Sequence, residues 1–227
     1  MDKMPIPKSQ PIKRETATDH AYQQIRRWLI DGTLEPGEKL AETALANAIS
    51  ISRTPVREAL QRLATDGFVI MNTGQVTRVA PLYHDDVATL YQPMAAIEGL
   101  AAQLMVSKIS PAERDELQKI DSRLTTALHK QDIETELSVD RAFHKQVLAV
   151  ADNPYLTQFS DFLYSHILRF ETYFFSHHNV SIDINGRQHE ALLSAIDHHN
   201  AEAAKQALTN DWLGTMTQIQ RAQEQDN

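Results

Sequence analysis

The sequence predicts a mainly α-helical protein with an N-terminal winged helix-turn-helix and a C-terminal six-helix antiparallel bundle. Apolar residues recur three and four residues apart along most of the chain, which is the spacing of one helix face. Two short β-prone runs occur, both before residue 82. The charge divides at the same place, because residues 1–82 carry 11 Lys and Arg against 9 Asp and Glu, whereas residues 83–227 carry 11 against 21. Two compositions indicate two domains, and only the first is suited to approach a polyanion.

Length and composition limit the classes of protein to consider. With 227 residues, 42% of them apolar, the chain is long enough for one large domain or two small ones with a buried core. It has no cysteine, which excludes disulfides, thiolate metal sites and cysteine nucleophiles. No window approaches the run of about 18 apolar residues of a membrane span, and the N-terminus lacks the apolar stretch of a signal peptide. We therefore expect a cytoplasmic protein that makes no membrane contact.

The first domain is expected at residues 16–82, after a flexible arm at residues 1–15 that has three prolines and no periodicity. A helix is predicted from about Asp19 to Ile30. Its apolar stripe has members four residues apart, namely Ala21, Ile25 and Leu29. A second, short helix is predicted from Glu42 to Ile49. Its apolar side is expected to comprise Leu45, Ala48 and Ile49.

A third helix and a hairpin complete this domain. Thr54 is the predicted N-cap and Pro55 the first helical residue, and the helix is expected to end at Asp66-Gly67. Its buried face is predicted to consist of Val56, Leu60 and Leu63. Two strand-like runs follow, at residues 68–71 and 76–80, joined by residues 72–75. Three helices followed by a hairpin predict a winged helix-turn-helix.

The outward face of the third helix carries residues suited to DNA. Arg53 and Arg57 are four residues apart and project together from the first turns, beside the hydroxyl of Thr54. Guanidinium groups at a helix start suit phosphate oxygens and guanine edges in a major groove. Further candidates for DNA contact are Gln61, one turn on, and the wing residues Thr73, Gly74, Gln75 and Arg78. The alternative is a solvated helix in a winged domain that contacts protein.

The run SRTPVREAL at residues 52–60, within EPGEKLAETALANAISISRTPVREALQRLATDGFV, resembles the DNA-binding domain of the GntR family of bacterial transcription regulators. The resemblance implies operator contacts by Arg53, Thr54, Arg57 and Gly74. The chain departs from the family at two positions. Thr43 stands where many relatives have an arginine, and Ser50 where they have a glycine in the turn between helices.

The second domain, residues 83–227, is predicted to be helical throughout. Its first helix has an apolar stripe at three- and four-residue steps, comprising Val87, Leu90, Tyr91, Met94, Ile97, Leu100 and Leu104. Further helices are predicted at about residues 111–130, 133–151, 154–177, 184–198 and 200–223. Short connections between them favour an antiparallel bundle.

Acidic and histidine side chains in the bundle form a candidate metal site. Asp140 and His144 are four residues apart and point the same way, as ligands of one divalent cation must. His189 begins a later helical stretch, and Asp211 lies 22 residues further on. The alternative is that the Asp–His pair faces solvent and that His189 is a capping or surface residue.

The second domain also resembles a family domain. Through DRAFHKQVLAVADNPYL and QHEALLSAIDHHNAEAAKQAL it is similar to the all-helical effector domain (FCD) of the FadR-type branch of the GntR family. The resemblance implies a divalent metal, with Zn ahead of Mn or Ni, held by Asp140, His144 and His189. The fourth ligand position falls at Asp211, where relatives usually have histidine; the alternatives are that this carboxylate coordinates the ion or that it leaves the position to water.

The resemblance also implies an effector site beside the metal. Met94 stands where relatives commonly place an arginine one turn before the glutamate matching Glu98, so the guanidinium that would bind a carboxylate is absent. Arg169 and His166 are candidates to replace it if they face inward. Tyr91, Tyr164 and Tyr173 are candidates to line the pocket, although aromatic residues at helical spacing usually belong to a core.

Together these features predict a regulator of transcription that is not an enzyme. It is expected to bind a near-palindromic double-stranded operator as a homodimer. A small metabolite, which we expect to be an organic acid, is expected to set its affinity for that DNA. Two alternatives stay open. The helical domain could be a metal-dependent hydrolase fused to a DNA-binding module, or it could serve dimerisation alone.

Overall fold

The structure, a computed structural model, describes residues 15–225 except Thr73, His84, Gln131 and residues 178–186. The chain divides into two compact units, Met1–Pro81 and Leu82–Asn227. The elements of the first unit are α1 (Ala17–Ile30), α2 (Glu42–Ile49), α3 (Arg53–Thr65), β1 (Val69–Ile70) and β2 (Arg78–Val79). Apart from Glu15, the flexible arm predicted at residues 1–15 lies outside the described residues.

Helix α1 begins two residues before its predicted start because of a capping box. The hydroxyl of Thr16 accepts a hydrogen bond from the amide of Asp19, and the Asp19 carboxylate accepts one from the amide of Thr16. The predicted face is buried, comprising Ala21, Ile25 and Leu29. It packs on α3, whose buried residues are Val56, Ala59, Leu60 and Leu63.

Two details predicted for α2 and α3 are wrong. Ala48 is exposed and Ala46 is buried, because this two-turn helix turns its Leu45–Ala46 edge, not its Leu45–Ala48 edge, to the core. Helix α3 begins at Arg53 with Ser52 as the N-cap, so Thr54 is its second residue and does not cap it. Pro55 is then the third helical residue, where the backbone still needs no N–H for the ladder.

The turn between α2 and α3 depends on the backbone of Ser50. This residue has φ 60° and ψ 40°, the left-handed conformation that a glycine adopts without steric cost. Its N–H donates to the carbonyls of Ala46 and Asn47 and so closes the end of α2. The serine therefore holds this turn at some conformational cost.

The hairpin is shorter than predicted, with two residues in each strand. Val69 pairs with Val79 and Ile70 with Arg78 in antiparallel register. Val69 and Val79 face the core of the unit, whereas Ile70 and Arg78 point to solvent. The predicted wing residue Thr73 lies outside the described residues.

The second unit is helical in its described part. Its elements are α4 (Asp86–Met105), α5 (Pro111–Lys130), α6 (Ile133–Ala151), α7 (Pro154–His177), α8 (Arg187–Asp197) and α9 (Ala201–Gln225). The bounds agree with the predicted helices to within a few residues, and the predicted start of α8 at residue 184 lies outside the described residues. Within the part of the chain that is described, no helix is both long and apolar enough to cross a membrane.

Helix α4 lies at the centre of this unit and packs on α6, α7 and α9. The apolar stripe predicted for it is correct in its first half, where Val87, Tyr91 and Met94 are buried. It is wrong in the second half, because Leu100 is 40% exposed while Glu98 faces the interior.

Small residues explain this change of face. A Cβ at Gly99 would collide with the hydroxyl of Thr209 on α9, so the two helices approach each other closely at this point. Ala101 and Ala102 are fully buried in the same region. Leucine at this contact would force the helices apart, and the alanine and glycine positions therefore form the contact surface.

Candidate functional site

The DNA-facing residues predicted on α3 are all exposed. The side chains of Arg53 and Arg57 are each 67% accessible, and Thr54 and Gln61 are exposed on the same helix. Both guanidinium groups lie beside one carboxylate of α2, because Arg53 Nη2 is 3.3 Å and Arg57 Nε is 3.4 Å from the two oxygens of Glu42. Glu42 thus holds the two cations side by side at the start of α3.

The wing supplies three further exposed candidates, namely Gly74, Gln75 and Arg78. Gly74 has φ +76°, and a Cβ added to it would meet no atom within 4 Å, so only its backbone conformation requires glycine. Arg78 is exposed and its Nη1 donates to the carbonyl of Gly37 at 2.9 Å, which ties the wing to the turn before α2.

Three predicted metal ligands come together in the second unit. Asp140 and His144 lie on α6 and His189 on α8, and one ligand atom from each lies within 4.8 Å of the other two. His144 Nε2 is 3.8 Å from Asp140 Oδ2, and His189 Nε2 is 3.6 Å from Asp140 Oδ1. Ligand atoms around Zn at about 2.0–2.2 Å are separated by roughly 3–4 Å, so this spacing fits one cation.

The fourth predicted ligand has a different position. Asp211 Oδ2 on α9 is 3.4 Å from Nε2 of His144, so its carboxylate faces the same nitrogen as Asp140 does. Asp211 is nevertheless outside the group of three whose ligand atoms lie within 4.8 Å of one another. Its side chain is 14% accessible, somewhat less than the 21% of Asp140.

A buried glutamate on α4 orients His144 from behind. Glu98 Oε2 lies 2.5 Å from Nδ1 of His144 and accepts a hydrogen bond from Trp212 Nε1 at 2.9 Å, and Glu98 Oε1 accepts one from Ser160 Oγ at 2.7 Å. Burial alone would raise the pKa of Glu98, but His144 and the two donors outweigh it and lower the pKa. Because the Nδ1 proton faces Glu98, the Nε2 lone pair of His144 is directed to the cluster.

A second buried carboxylate stands behind His189. Asp121 Oδ1 on α5 is 3.5 Å from Nδ1 of His189, and both atoms are buried without a hydrogen-bond partner. The His189 ring is stacked on Phe143, with centroids 3.7 Å apart and planes 11° apart. Each histidine therefore has a carboxylate at Nδ1 and presents Nε2 to Asp140, the arrangement of carboxylate–histidine–metal triads.

The charges of this cluster also suit a cation. Burial alone would lower the pKa of His144, but the carboxylates of Glu98 and Asp140 outweigh it and raise the pKa well above its usual value. Burial raises the pKa of Asp140, with the negative charges of Asp211 and Glu98 adding to the effect. A divalent ion beside Nε2 of His144 would add positive charge among these buried carboxylates and so offset their mutual repulsion. Nitrogen and carboxylate donors in this mixture suit Zn, Mn or Ni.

The predicted effector residues differ in their exposure. Tyr91 and Met94 are fully buried on α4, and the hydroxyl of Tyr91 donates to Glu171. Arg169 is buried on α7, where burial lowers its pKa to about 10 against the influence of Asp86. His166, one turn earlier, lies half-buried in edge contact with the exposed ring of Phe162.

The sequence analysis did not predict several of the polar residues around the two histidines and Tyr91. Asp121, Trp212 and Glu171 were not identified from the sequence, and Glu98 entered only through the family resemblance. A carboxylate inside an apolar stripe is the signal that was available, because Asp121 is four residues after Leu117 and three before Leu124, both buried. Another missed group is Arg141, whose guanidinium lies 3.6 Å from the ring centroid of Tyr164.

Comparison with known proteins agrees with both units. The family described as "Bacterial regulatory proteins, gntR family" matches residues 17–79, and the family described as "FCD domain" matches residues 89–212. The uncharacterized HTH-type transcriptional regulator YdhC of Bacillus subtilis is 28% identical over 188 residues, which is 82% of this chain and 83% of that protein. The HTH-type transcriptional regulator McbR of Escherichia coli is 27% identical over 67% of this chain and 69% of its own length.

Solved structures show the same fold. That of Escherichia coli McbR/YncC has a TM-score of 0.71 at 23% identity and covers 93% of this chain and 99% of its own. A putative transcriptional regulator GntR from Rhodococcus sp. RHA1 has a TM-score of 0.65 at 21% identity, covering 89% of this chain and 96% of its own.

Proposed function

Because the chain belongs to the GntR family of bacterial regulatory proteins and carries an FCD domain, we propose that it is a homodimeric regulator whose operator affinity is set by a metabolite bound beside a divalent metal. Its family and its relatives are transcription regulators, and this chain is likewise a transcription regulator and not an enzyme. This excludes the metal-dependent hydrolase considered from the sequence. A regulator of bacterial operators acts where the chromosome lies, so the proposal includes a cytoplasmic location.

The observation that carries the proposal is the exposed pair of arginines at the start of α3. Arg53 and Arg57 are the first and fifth residues of the helix, and both are open to solvent. In the proposed complex they reach base edges in the major groove, while Thr54, Gln61 and the wing residues Thr73, Gly74 and Arg78 contact the backbone or adjacent groove. Affinity then comes chiefly from phosphate neutralisation and discrimination from the two arginines.

In the second unit the proposed metal ligands are Asp140, His144 and His189, with Asp211 beside His144. FCD domains commonly bind metal, and the spacing and buried charge of these residues support the assignment. Zn is the proposed ion, with Mn and Ni as alternatives. A bound metal supplies an electrophilic position that a carboxylate or hydroxyl group of a metabolite can occupy.

The proposed effector is a small organic acid that contacts the metal directly. Met94 cannot bind a carboxylate, so the metal is the group that recognises the acid in this chain. Arg169 and Tyr91 remain proposed contacts of its other end, whereas His166 lies against the exposed ring of Phe162 and is not among them. The dimer has one arrangement that binds the operator and another that does not. The regulatory effect is the difference between the effector affinities of these two arrangements.

One experiment tests the DNA-binding half of the proposal. Duplexes selected from a randomised pool by the purified protein identify the operator, and Arg57→Ala is then titrated on it beside the exposed Arg123→Ala of α5 as a control. If Arg57 reads a base, its loss costs about 1–3 kcal/mol on the operator and much less on random DNA. Equal affinity of Arg57→Ala and the wild type would contradict the role.

A second experiment tests the metal and the sensor. Elemental analysis of protein reconstituted with Zn is expected to give bound metal in the wild type and in the exposed-histidine control His129→Ala, and a loss in His144→Ala. A panel of organic acids should then raise the melting temperature of the metal-loaded protein, since a ligand bound only by the folded state stabilises it. Metal binding without any such ligand would favour the alternative that this domain serves dimerisation alone.

A further inference from the structure

Helix α7 carries a row of exposed aromatic side chains. Tyr155 is 70%, Phe159 56% and Phe162 46% accessible, although aromatic rings are normally among the more buried groups of a protein. The steps of four and three residues put the three rings on one face of the helix. We call Tyr155, Phe159 and Phe162 the aromatic row.

The segment that carries the row is almost without charge. Residues 154–168 contain one charged residue, Asp161, in a chain that is 23% charged. The Asp161 carboxylate lies 2.6 Å from Arg141 Nη2 on α6, so its charge is neutralised within the unit. Aromatic enrichment with depletion of charge distinguishes the core of a protein interface from ordinary surface.

The spacing of the row matches a helix–helix seam. His166 follows Phe162 by four residues, and their rings are in edge contact with centroids 4.9 Å apart. Steps of four, three and four residues are those of the apolar seam along which one helix packs on another. In the described part of the chain, α7 buries its other face against α4 and α6 and leaves this seam open.

The exposed area is of the size that an interface uses. At roughly 150–250 Å² for a whole aromatic side chain, the row leaves on the order of 300–400 Å² open in each copy. That is as large as the largest apolar patch of a typical monomer and nearly half of the ~800 Å² that each partner buries in a stable complex.

We propose that the aromatic row is the contact between two copies of this chain, with α7 of one copy antiparallel to α7 of the other. The two-fold axis passes between Phe159 and Phe162, so that Tyr155 of one copy faces His166 of its partner. An isologous contact puts the same patch on both sides, and a neutral aromatic row is complementary to itself. The inference rests on the proposed homodimer and assigns it a surface.

Cysteine cross-linking tests this geometry directly, because the chain has no cysteine of its own. Because the axis puts Phe159 of one copy opposite Phe162 of the other, a mixture of Phe159→Cys and Phe162→Cys is expected to form covalent dimers readily on mild oxidation, and each variant alone to do so less readily. Tyr155→Cys and His166→Cys should cross-link poorly alone but well when the two proteins are mixed. Ser122→Cys, exposed on α5, is the control and should stay monomeric on a denaturing gel.

The oligomeric state in solution gives the second test. Sedimentation of the full chain is expected to show a dimer for the wild type and for Ser122→Glu, and a dissociation constant raised at least tenfold for Phe159→Glu. Far-UV circular dichroism checks that Phe159→Glu keeps its helix content, and Phe159→Gln replaces it if it does not. The inference would be overturned if Phe159→Glu and Phe159→Gln left the wild-type dimer unchanged, or if no cross-link formed at any of the four positions. Either result would still be compatible with the proposed homodimer. A wild type that is monomeric at tens of micromolar would overturn both.

Discussion

Glu98 Oε2 lies 2.5 Å from Nδ1 of His144 in a fully buried contact, and Trp212 and Ser160 hold the glutamate in turn. The glutamate is thus not in the group of residues that face the cation position, yet it determines which nitrogen of His144 faces it. Four side chains from four helices, α4, α6, α7 and α9, meet in this contact. It makes the orientation of His144 a property of the packed unit.

Glu98→Gln is expected to weaken metal binding 10- to 100-fold without removing a ligand. The amide keeps the shape of the side chain but loses the charge that fixes the His144 ring and raises its basicity, and outer-shell substitutions typically have effects of this size. Competition against a chromophoric chelator measures the affinity for Zn. The exposed Glu116→Gln of α5 is the control, and an affinity equal to that of the wild type in both variants would show that Glu98 has no such role.

Asp211→Asn tests whether Asp211 binds the metal itself or only lies beside the ligand His144. Asp211 stands outside the group formed by Asp140, His144 and His189, so we expect its loss to weaken Zn binding less than tenfold. His189→Ala should weaken it more than Asp211→Asn does, because it removes an Nε2 donor. The same chelator competition compares them, and similar losses in both would make Asp211 a fourth ligand.

Glu42→Gln is expected to strengthen binding to random DNA. The carboxylate forms ion pairs with both Arg53 and Arg57 and adds a negative charge to the surface proposed to face DNA. Exposed pairs of this kind are worth about 0.2–1 kcal/mol, so the affinity for a non-operator duplex should rise roughly two- to fivefold at low salt. Glu35→Gln, exposed in the same unit, makes the same change of net charge and should have a smaller effect in the same titration.

Ser50→Gly is expected to stabilise the first unit by about 0.5–1 kcal/mol. Glycine adopts the observed φ of 60° without the steric cost that serine has, and this gain exceeds the entropy that glycine adds to the unfolded chain. Ala48→Gly is the matched control in the body of α2, where glycine should destabilise by about 1 kcal/mol. Calorimetry of the full chain measures both, and a lower melting temperature for Ser50→Gly would contradict the expectation.

Glu171→Gln should change the pH dependence of stability. Burial raises the pKa of Glu171 to about 7, although Tyr91 donates to its carboxylate, and Asp140 adds to the rise. The native carboxyl then binds more protons than the unfolded one between about pH 4.5 and 7, so its contribution to stability falls as the pH rises through that window. In urea unfolding, the free energy of unfolding of Glu171→Gln should rise relative to that of the wild type from pH 5 to pH 8, by at most about 3 kcal/mol. A difference that is constant over this range would show that Glu171 does not titrate there.

Local signals were sufficient for most of the secondary structure. The stripe of α1 and the Asp66-Gly67 end of α3 were predicted correctly, because each depends on residues within a few positions of one another. The predictions of burial were wrong where contacts with residues distant in the sequence determine which side of a helix is buried. Leu100 is exposed because α9 approaches α4 at Gly99, a contact between residues more than a hundred positions apart.

The amino-acid order alone determined the helix spans, the family and the candidates for DNA and metal binding, because helical periodicity and short motifs are local properties of the chain. Packing decided the rest. It buried Glu98 and Asp121 behind the two histidines, brought Arg53 and Arg57 to one glutamate, and left the aromatic row of α7 open. A side chain's surroundings depend on which distant helices pack beside it, and in a bundle that is set by how all the faces fit together.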